Sequence, residues 1–327
     1  MFEFNNTKRS FQEYQTVDKI IFFHMNQLGD LLFSLPVLKA TKQKYPDIKM
    51  YCVAKKNLVG LLESTKLIYK IFTKEESISK QIDLIASIRK EKIDTALLFS
   101  ESPQSLLLAY FSRIKNRIGF KTSSLNFLLT KKVARIGVPS LDNNIALGKE
   151  IGLKNVQKDY LNILNIDKES NIRVSFWLED NNLLNKDFIV VSFGASKRRQ
   201  EKCLRKEVWI KTLNQLMDMK KNVVVVGAKW ETEETSKILK YVSKDVKMFC
   251  PEDGLLDLSA LISKAKLFIG IDSGSMHLAA GLGIKCIALY GNTDPKQIGP
   301  RPLINHIIIK RNSAKNITVE DILKNIK

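Results

Sequence analysis

The stretch "FIGIDSGSMHLAAGLGIKCIALYG", residues 268–291, reads in order as an apolar run, a Gly-Ser turn, a small-residue helical segment and a second apolar run. Strand, turn, helix and strand in this order form the repeating unit of parallel sheets that helices cover on both faces. The turn of such a unit follows the carboxyl end of its strand, where these folds bind ligands. The chemistry of this turn therefore bears on both fold and function.

The same pattern extends along the chain. Apolar runs that predict strands are separated mostly by stretches of helical length with apolar residues every three or four positions. The predicted strands are 19–24, 48–53, 94–99, 131–136, 188–193, 222–227, 246–250, 266–271, 285–290 and 306–310. The polar stretch 167–187 divides them into two sets and is the best linker candidate. We predict an α/β protein with two Rossmann-like, doubly wound parallel-sheet domains, residues 1–170 and 171–327, whose strand ends face a central cleft.

Composition limits the classes of partner. Of 327 residues, 44% are hydrophobic and 27% charged, which is a globular balance, and the formal net charge of +19 favours anionic partners. Nucleic acid, a phosphorylated substrate and an acidic membrane face all qualify. The four cysteines form no CxxC pair and predict reduced thiols. Because no run approaches the ~18 apolar residues of a membrane span and the N-terminal residues lack a secretory signal, we expect a soluble, cytoplasmic protein.

The turn at 272–275, Asp-Ser-Gly-Ser, predicts an anion site. The N–H groups at the following helix start and the helix dipole favour negative charge, and Gly274 would let a phosphate approach the backbone. Neither GxGxxG nor GxxxxGK[ST] occurs here, which disfavours dinucleotide dehydrogenases and P-loop NTPases. The alternative is an ordinary turn in which Ser275 caps the helix and His277 belongs to the core.

Polar loops after neighbouring strands favour a nucleotide diphosphate. Residues 194–209 carry six Lys or Arg, residues 227–234 include Glu231, which could accept hydrogen bonds from a ribose, and residues 290–300 are rich in glycine. A phosphate turn, a basic loop and a carboxylate at adjoining strand ends suit such a ligand.

In the N-terminal half, Asp30 stands after the first strand and before an apolar helix. A lone aspartate at a helix start is usually an N-cap. Alternatively, Asp30 would face the cleft and take a proton from an acceptor hydroxyl. The helix N-terminus would then stabilise the ionised form and make Asp30 a weak base.

Four motifs together resemble the bacterial ADP-heptose:lipopolysaccharide heptosyltransferases. They are "LGDLLFSLPVLKATKQKYP" (28–46), "NRIGF" (116–120), "KCLRKEVW" (202–209) and "DSGSMHLAAGLGIKCIALYGNTDPKQIGP" (272–300), in the family's order. The resemblance implies a glycosyltransferase of the GT-B fold that transfers its sugar with inversion and needs neither a metal nor another cofactor. It also implies a nucleotide-sugar donor, with ADP-heptose as the expected one. The absence of a DxD motif from the chain is consistent with metal-independent transfer.

The resemblance also implies roles for single residues. It makes Asp30 the catalytic base and Lys202 the lysine that holds the donor phosphates. Because Leu204 and Arg205 replace the Trp-Pro pair of the family, Lys197 and Lys206 remain alternatives to Lys202. The other donor residues are Glu231 at the ribose, Asp272, Ser273, Gly274 and His277 at the diphosphate, and Ser196 in the basic loop. The acceptor residues are Gly29, Arg117 and Lys121.

Residues 112–136 carry seven Lys or Arg and no acidic residue, in the half that the resemblance assigns to the acceptor. A lipopolysaccharide core is anionic, so we expect it to bind there, with the protein resting peripherally on the inner face of the inner membrane. Two alternatives stay open. A nucleotide-sugar epimerase of the same fold would need a second placed acid or base, and none is evident. A basic nucleic-acid-binding protein is supported by charge alone, and we expect no specific nucleic acid partner.

Overall fold

The computed structural model of the protein describes residues 18–24, 27–74, 76–121, 124–137, 139–194, 199–227 and 232–326. Within these residues the chain forms two six-stranded sheets, and every pair of neighbouring strands is parallel. Helices connect the strands. The predicted α/β class with two parallel sheets is confirmed.

Both sheets have the same topology. The strands are β1 (Lys19–Phe23), β2 (Lys49–Ala54), β3 (Lys70–Thr73), β4 (Thr95–Leu98), β5 (Asn116–Phe120), β6 (Lys131–Val133), β7 (Phe188–Ser192), β8 (Asn222–Val226), β9 (Lys247–Phe249), β10 (Leu267–Ile271), β11 (Cys286–Tyr290) and β12 (Ile307–Lys310). The spatial orders are β3-β2-β1-β4-β5-β6 and β12-β11-β10-β7-β8-β9. Read from β9, the second order repeats the first, and both follow the doubly wound arrangement. The strand order reverses between β1 and β4 and between β7 and β10, where such sheets open a ligand crevice.

All ten predicted strands are present, and the structure adds β3 and β5. β3 is an edge strand with a single buried side chain, and β5 begins with the polar pair Asn116-Arg117, so neither has a strong apolar pattern. The strand predicted over 131–136 ends at Val133.

The helices lie between the strands. They are α1 (Leu28–Lys44), α2 (Val59–Ser64), α3 (Ile78–Lys90), α4 (Pro103–Phe111), α5 (Ser140–Lys149), α6 (Lys168–Asp180), α7 (Lys206–Asp218), α8 (Thr232–Leu239), α9 (Gly254–Ser263), α10 (Gly274–Gly281), α11 (Pro295–Ile298) and α12 (Val319–Leu323). The last one has Thr318 as its N-cap, in a capping box with Asp321.

The polar stretch that predicted a linker contains helix α6. Asp167 caps this helix by accepting a hydrogen bond from the Ser170 N–H, and Arg173 fastens it to α9 through a 2.7 Å ion pair with buried Asp257. The predicted domain division after residue 170 therefore falls within the first turn of α6, which packs on the second half of the chain.

Helix α1 joins the two halves. Its residues 31–38 are all buried, so it is a core helix rather than an amphipathic surface helix. One continuous apolar cluster runs from the first sheet through α1 to α10 and the second sheet. At the crossing of α1 and α10, a β-carbon added to Gly274 would lie 2.8 Å from the Leu28 Cβ, and one added to Gly29 would lie 3.0 Å from the His277 ring. The two helix starts are therefore in direct contact.

Two further sequence expectations concern thiols and membranes. All four cysteines are free thiols as predicted, and Cys52 and Cys286 are buried in the core. In the part of the chain that the structure describes, no helix combines the length and apolar character needed to cross a bilayer.

Buried His24 makes stability depend on pH. Its Nδ1 lies 3.0 Å from the Ser34 Oγ and its Nε2 lies 3.2 Å from the Cys52 Sγ, and burial lowers the pKa of His24 to about 3. An unfolded histidine titrates near 6.5, so the unfolded chain takes up this proton first as the pH falls. We expect the wild-type free energy of unfolding to decrease between pH 6 and pH 4, by up to ~1.4 kcal/mol per pH unit more than in His24→Gln. Urea unfolding across this range measures the difference, and equal slopes for both proteins would contradict it.

Candidate active site

The start of α10 presents free backbone donors. Its N-cap is Ser273, which has extended backbone angles (φ −148°, ψ 167°) and whose side chain caps none of the described N–H groups. The Ser273 Oγ instead lies 2.9 Å from the Ser275 Oγ, which in turn is 3.1 Å from the Ser192 Oγ on β7. The alternative in which Ser275 caps the helix is therefore wrong. The first N–H groups of α10 are left for a ligand, as an anion site requires.

Lys202 brings a positive charge to this helix start. It ends a short 3₁₀ turn at residues 200–202 after β7, and its Nζ lies 2.6 Å from the Oδ2 of buried Asp272. A charge-assisted bond of this length fixes the ammonium beside the first turn of α10. Of the two alternatives, Lys206 is an exposed residue at the start of α7, and Lys197 lies outside the described residues. The geometry favours Lys202.

His277 is buried one turn into α10 and keeps a defined tautomer. The Tyr160 Oη accepts a hydrogen bond from the Arg301 N–H at 3.2 Å, so its own hydrogen goes to the His277 Nδ1 at 2.8 Å. This arrangement leaves the imidazole proton on Nε2, which is 4.0 Å from the Asp272 Oδ1. Burial lowers the pKa of His277 to about 4, so the ring is neutral near pH 7.

Asp30 lies inside the first turn of α1 rather than at its cap. The N-cap is Gln27, so the N-cap interpretation of Asp30 is wrong. Asp30 lines a cavity of about 100 Å³. The other lining residues are Phe33, Phe99, Arg135, Ser140 and Asn144. A carboxylate in a small cavity is placed to meet a substrate hydroxyl.

The pKa of Asp30 is raised above its ordinary value, with burial as the largest cause. The positive charges of Arg135, Lys202 and Arg199 oppose this rise, and the negative charge of Asp272 adds to it. Asp30 is therefore a stronger base than an exposed aspartate. The expectation of a weak base, which came from its place at a helix N-terminus, is wrong. Because Gly29, the residue before Asp30, lies against the His277 ring, Asp30 is close to the α10 start.

Arg135 is a site residue that the sequence did not single out. It follows the end of β6, its guanidinium lies 4.6 Å from the centre of the Phe120 ring, and its Nε is 2.5 Å from the Glu101 Oε1. The residue lies within the basic run 112–136, and its position just beyond the carboxyl end of a strand is the signal that could have identified it.

The two predicted site glycines have packing roles. Gly29 faces the His277 ring and Gly274 faces Leu28, and each sits where a larger residue would separate α1 from α10. For Gly274, a close approach to a phosphate remains a prediction. For Gly29, the structure shows a contact with His277 rather than with the acceptor side of the cleft.

Two predicted acceptor residues lie at opposite ends of strand β5. Arg117 is at the amino end of β5, where its Nε donates a 2.7 Å hydrogen bond to the Leu128 carbonyl oxygen, so the structure does not bring it to Asp30. Lys121 follows the carboxyl end of β5 with an exposed side chain, at the same edge as the cleft. The predicted donor residues Ser196 and Glu231 lie outside the described residues.

Two doubly wound sheets, one offering a lysine beside a helix start and the other a half-buried carboxylate in a small cavity, define a glycosyltransferase of the GT-B fold. The chain belongs to glycosyltransferase family 9 (heptosyltransferase), whose family model matches residues 82–327.

Similar proteins agree with this assignment. The lipopolysaccharide core heptosyltransferase OpsX of Haemophilus influenzae is 23% identical over 292 residues, which cover 87% of this chain and 82% of that protein. A solved glycosyl transferase family 9 structure from Veillonella parvula superposes with a TM-score of 0.85 at 17% identity, covering 94% of this chain and 95% of that one. The E. coli ADP-heptose lps heptosyltransferase II superposes with a TM-score of 0.79 at 22% identity, covering 94% and 96%.

The family assignment decides between the two enzyme alternatives in favour of the glycosyltransferase and against the epimerase. It also removes the basis for a nucleic-acid-binding protein, which charge alone supported. The family match begins at residue 82, so Asp30 lies outside it and its role rests on geometry and on the resemblance of its motif.

The hydrogen-bond network at Tyr160 predicts a stability effect. Tyr160→Phe removes the hydroxyl that joins the Arg301 N–H to the His277 Nδ1, leaving two buried polar groups without their partner. We expect a loss of roughly 1–3 kcal/mol in the free energy of unfolding, measured with urea. In the control Tyr69→Phe the side chain is exposed, and we expect a change within about 0.5 kcal/mol. Equal stability of the two variants would contradict the network.

Proposed function

We propose that this enzyme transfers a heptose from ADP-heptose to an anionic lipopolysaccharide core, with inversion at the anomeric carbon and without a metal ion. The observation that carries the proposal is the proximity of two sets of groups. Asp30 is a half-buried carboxylate with a raised pKa, and its neighbour Gly29 lies against the His277 ring of α10, at whose start Lys202 is bound to Asp272. The names of the similar proteins, a lipopolysaccharide core heptosyltransferase and an ADP-heptose lps heptosyltransferase, support the choice of sugar, donor and acceptor.

The donor diphosphate would lie at the N-terminus of α10. The first N–H groups of the helix donate to phosphate oxygens, and the Lys202 ammonium, already beside this helix start, supplies a full positive charge. The His277 Nε2–H is a further donor on the same side. These groups can stabilise the negative charge that develops on the departing diphosphate, which is the task of the cation in metal-dependent transferases. Glu231 and Ser196 remain predicted donor contacts.

The chemical step is a single displacement. The Asp30 carboxylate takes the proton of an acceptor hydroxyl, and that oxygen forms a bond to the anomeric carbon on the face opposite the diphosphate. The bond from the anomeric carbon to the diphosphate oxygen breaks, and ADP leaves with the electron pair. Because attack and departure occur on opposite faces, the configuration inverts. The raised pKa of Asp30 improves proton transfer, since a base works best when its pKa approaches the operating pH.

The acceptor would enter from the side of the first sheet. Arg135 lines the Asp30 cavity and Lys121 is exposed on the same sheet edge, so both can attract phosphate or carboxylate groups of a core oligosaccharide. The net charge of +19 supports an anionic substrate. Such an acceptor would place the enzyme on the cytoplasmic face of the inner membrane.

Asp30→Asn tests the base. The substitution keeps the shape of the side chain and removes its ability to accept the proton, so we expect the turnover rate to fall by ~10²–10⁴ while ADP affinity is unchanged. In the wild type, the rate should also fall at low pH as Asp30 is protonated, with the acidic limb above the ordinary range of an aspartate. The exposed Asp47 provides the control, Asp47→Asn. Undiminished transfer by Asp30→Asn would show that Asp30 is not the base.

Calorimetry with ADP tests the donor site. We expect Lys202→Ala to weaken ADP binding about ten- to a hundredfold, because it removes a charge-assisted contact with the diphosphate. The double variant Lys202→Ala/Asp272→Asn, which leaves no unpaired buried carboxylate, should stay equally weak. Lys206→Ala is the control, and we expect it to bind ADP as the wild type does.

The same titrations in EDTA test metal independence. We expect ADP affinity to be the same with and without the chelator, since Lys202 and the α10 N–H groups supply the positive charge. Loss of binding in EDTA, or full affinity in Lys202→Ala, would place the phosphate site elsewhere. Gly274→Val is not an informative variant here, because its side chain would strike Leu28 and disturb the contact between α1 and α10.

A further inference from the structure

Helix α4 exposes an apolar face. Leu107, Tyr110 and Phe111 are 36%, 44% and 48% exposed, and their spacing of three and four residues puts them on one side of the helix. The opposite side, with Leu106 and Ala109, packs into the core. Phe127, on a 3₁₀ turn that contacts α4, is 70% exposed. We call Leu107, Tyr110, Phe111 and Phe127 the α4 patch.

Basic residues surround the α4 patch. Arg89, Arg113, Lys115 and Arg117 line a cleft of about 440 Å³ together with Tyr110 and Phe111. From residue 102 to residue 141 the sequence contains seven Lys or Arg and no Asp or Glu. The surface is therefore positively charged as well as apolar.

Two of these arginines are held against α4, one by a backbone carbonyl and the other beside an aromatic ring. The Arg89 Nε donates a 2.7 Å hydrogen bond to the Phe111 carbonyl oxygen, and the Arg117 guanidinium lies 5.4 Å from the centre of the Tyr110 ring. The other two basic residues, Arg113 and Lys115, are exposed. The aromatic rings and the positive charges thus occupy one fixed surface.

We propose that the α4 patch and its basic rim dock on the surface of a lipid bilayer that carries anionic headgroups. Aromatic rings on an amphipathic helix enter the headgroup region with their apolar part inward, while Lys and Arg side chains meet the lipid phosphates. A nucleic acid would satisfy the charges, but it would leave the aliphatic Leu107 and the continuous apolar face without a partner. The combination of charge and apolar area fits a bilayer better.

The position of α4 connects this surface to the active site. The helix begins at Pro103, shortly after Phe99, which lines the Asp30 cavity, and it runs back along β4 toward the opposite sheet edge. The α4 patch lies at the Phe111 end of the helix, on the side of the sheet where Arg117 lies, so a membrane-anchored acceptor would have to reach Asp30 along α4 and past its Pro103 end. This last step rests on the proposed function, whereas the docking itself does not.

Vesicle flotation with the full-length protein tests the docking without any sugar transfer. The probes are vesicles of phosphatidylcholine alone and vesicles that contain phosphatidylglycerol as well. We expect the wild type to float with the anionic vesicles only. Tyr110→Ser/Phe111→Ser and Arg113→Glu/Lys115→Glu should each weaken this binding about tenfold or more. The matched controls change equally exposed residues elsewhere, in Ile172→Ser/Phe176→Ser on α6 and in Lys240→Glu/Lys244→Glu, and they should bind as the wild type does.

Each outcome of the experiment decides the inference. Wild-type binding by both patch variants, or failure of the wild type to float with anionic vesicles, overturns it. If the wild type does not bind vesicles but retains a generic RNA, the inference is overturned and the surface binds nucleic acid. If the protein forms a dimer that dissociates in the patch variants, the inference is overturned and the patch is a self-association surface. Should the serine variant fail to fold by its melting curve, the charge reversal, which changes only exposed side chains, decides alone. ADP calorimetry on the same proteins keeps the proposed function separate, since the patch variants should bind ADP normally.

Discussion

The first turns of α1 and α10 meet so closely that Gly274 has no room for a β-carbon and Gly29 has little. The rest of the site depends on this contact. It joins the two sheets into one apolar core, and it holds a residue of the first half, Asp30, within electrostatic reach of Lys202 and Asp272 in the second. Asp30 keeps its place beside the α10 start because these two helix starts cannot be moved apart without opening the core.

Bringing two helix N-termini together has an electrostatic consequence. Each helix start carries partial positive charge, and the two starts lie in contact beside the same cleft. The carboxylates Asp30 and Asp272 lie at these starts and offset that charge in the free protein. Asp272 is neutralised by Lys202 at 2.6 Å, whereas Asp30 keeps a raised pKa because burial outweighs its positive neighbours. The same arrangement thus provides one place that attracts an anion and another that can take up a proton.

Much of the fold could be predicted from the sequence, because buried parallel strands have nearly continuous apolar sequences. β3 and β5 were not predicted, because an edge strand and a strand that begins with Asn-Arg lack that pattern. The family resemblance assigned Arg117 to the acceptor, but as the second residue of β5 it lies at the amino end of the sheet, away from Asp30. The turn from Asp272 to His277 could be recognised as a candidate anion site because its residues are contiguous, although its cap is Ser273 and its glycine packs on Leu28. Three contacts join segments that are distant in the sequence, so only the folded chain shows them. They are Tyr160 with His277, Arg135 with the Asp30 cavity, and Gly29 with His277.

We propose that the α1–α10 contact creates one site in which α10 and Lys202 hold the donor diphosphate in front of Asp30. A crystal structure of the protein with bound ADP would show whether they do. We expect the diphosphate at the N–H groups that open α10, with the Lys202 Nζ within hydrogen-bond distance of a phosphate oxygen and the β-phosphate facing the Asp30 cavity. Diphosphate bound at any other helix start, or pointing away from Asp30 into solvent, would contradict it.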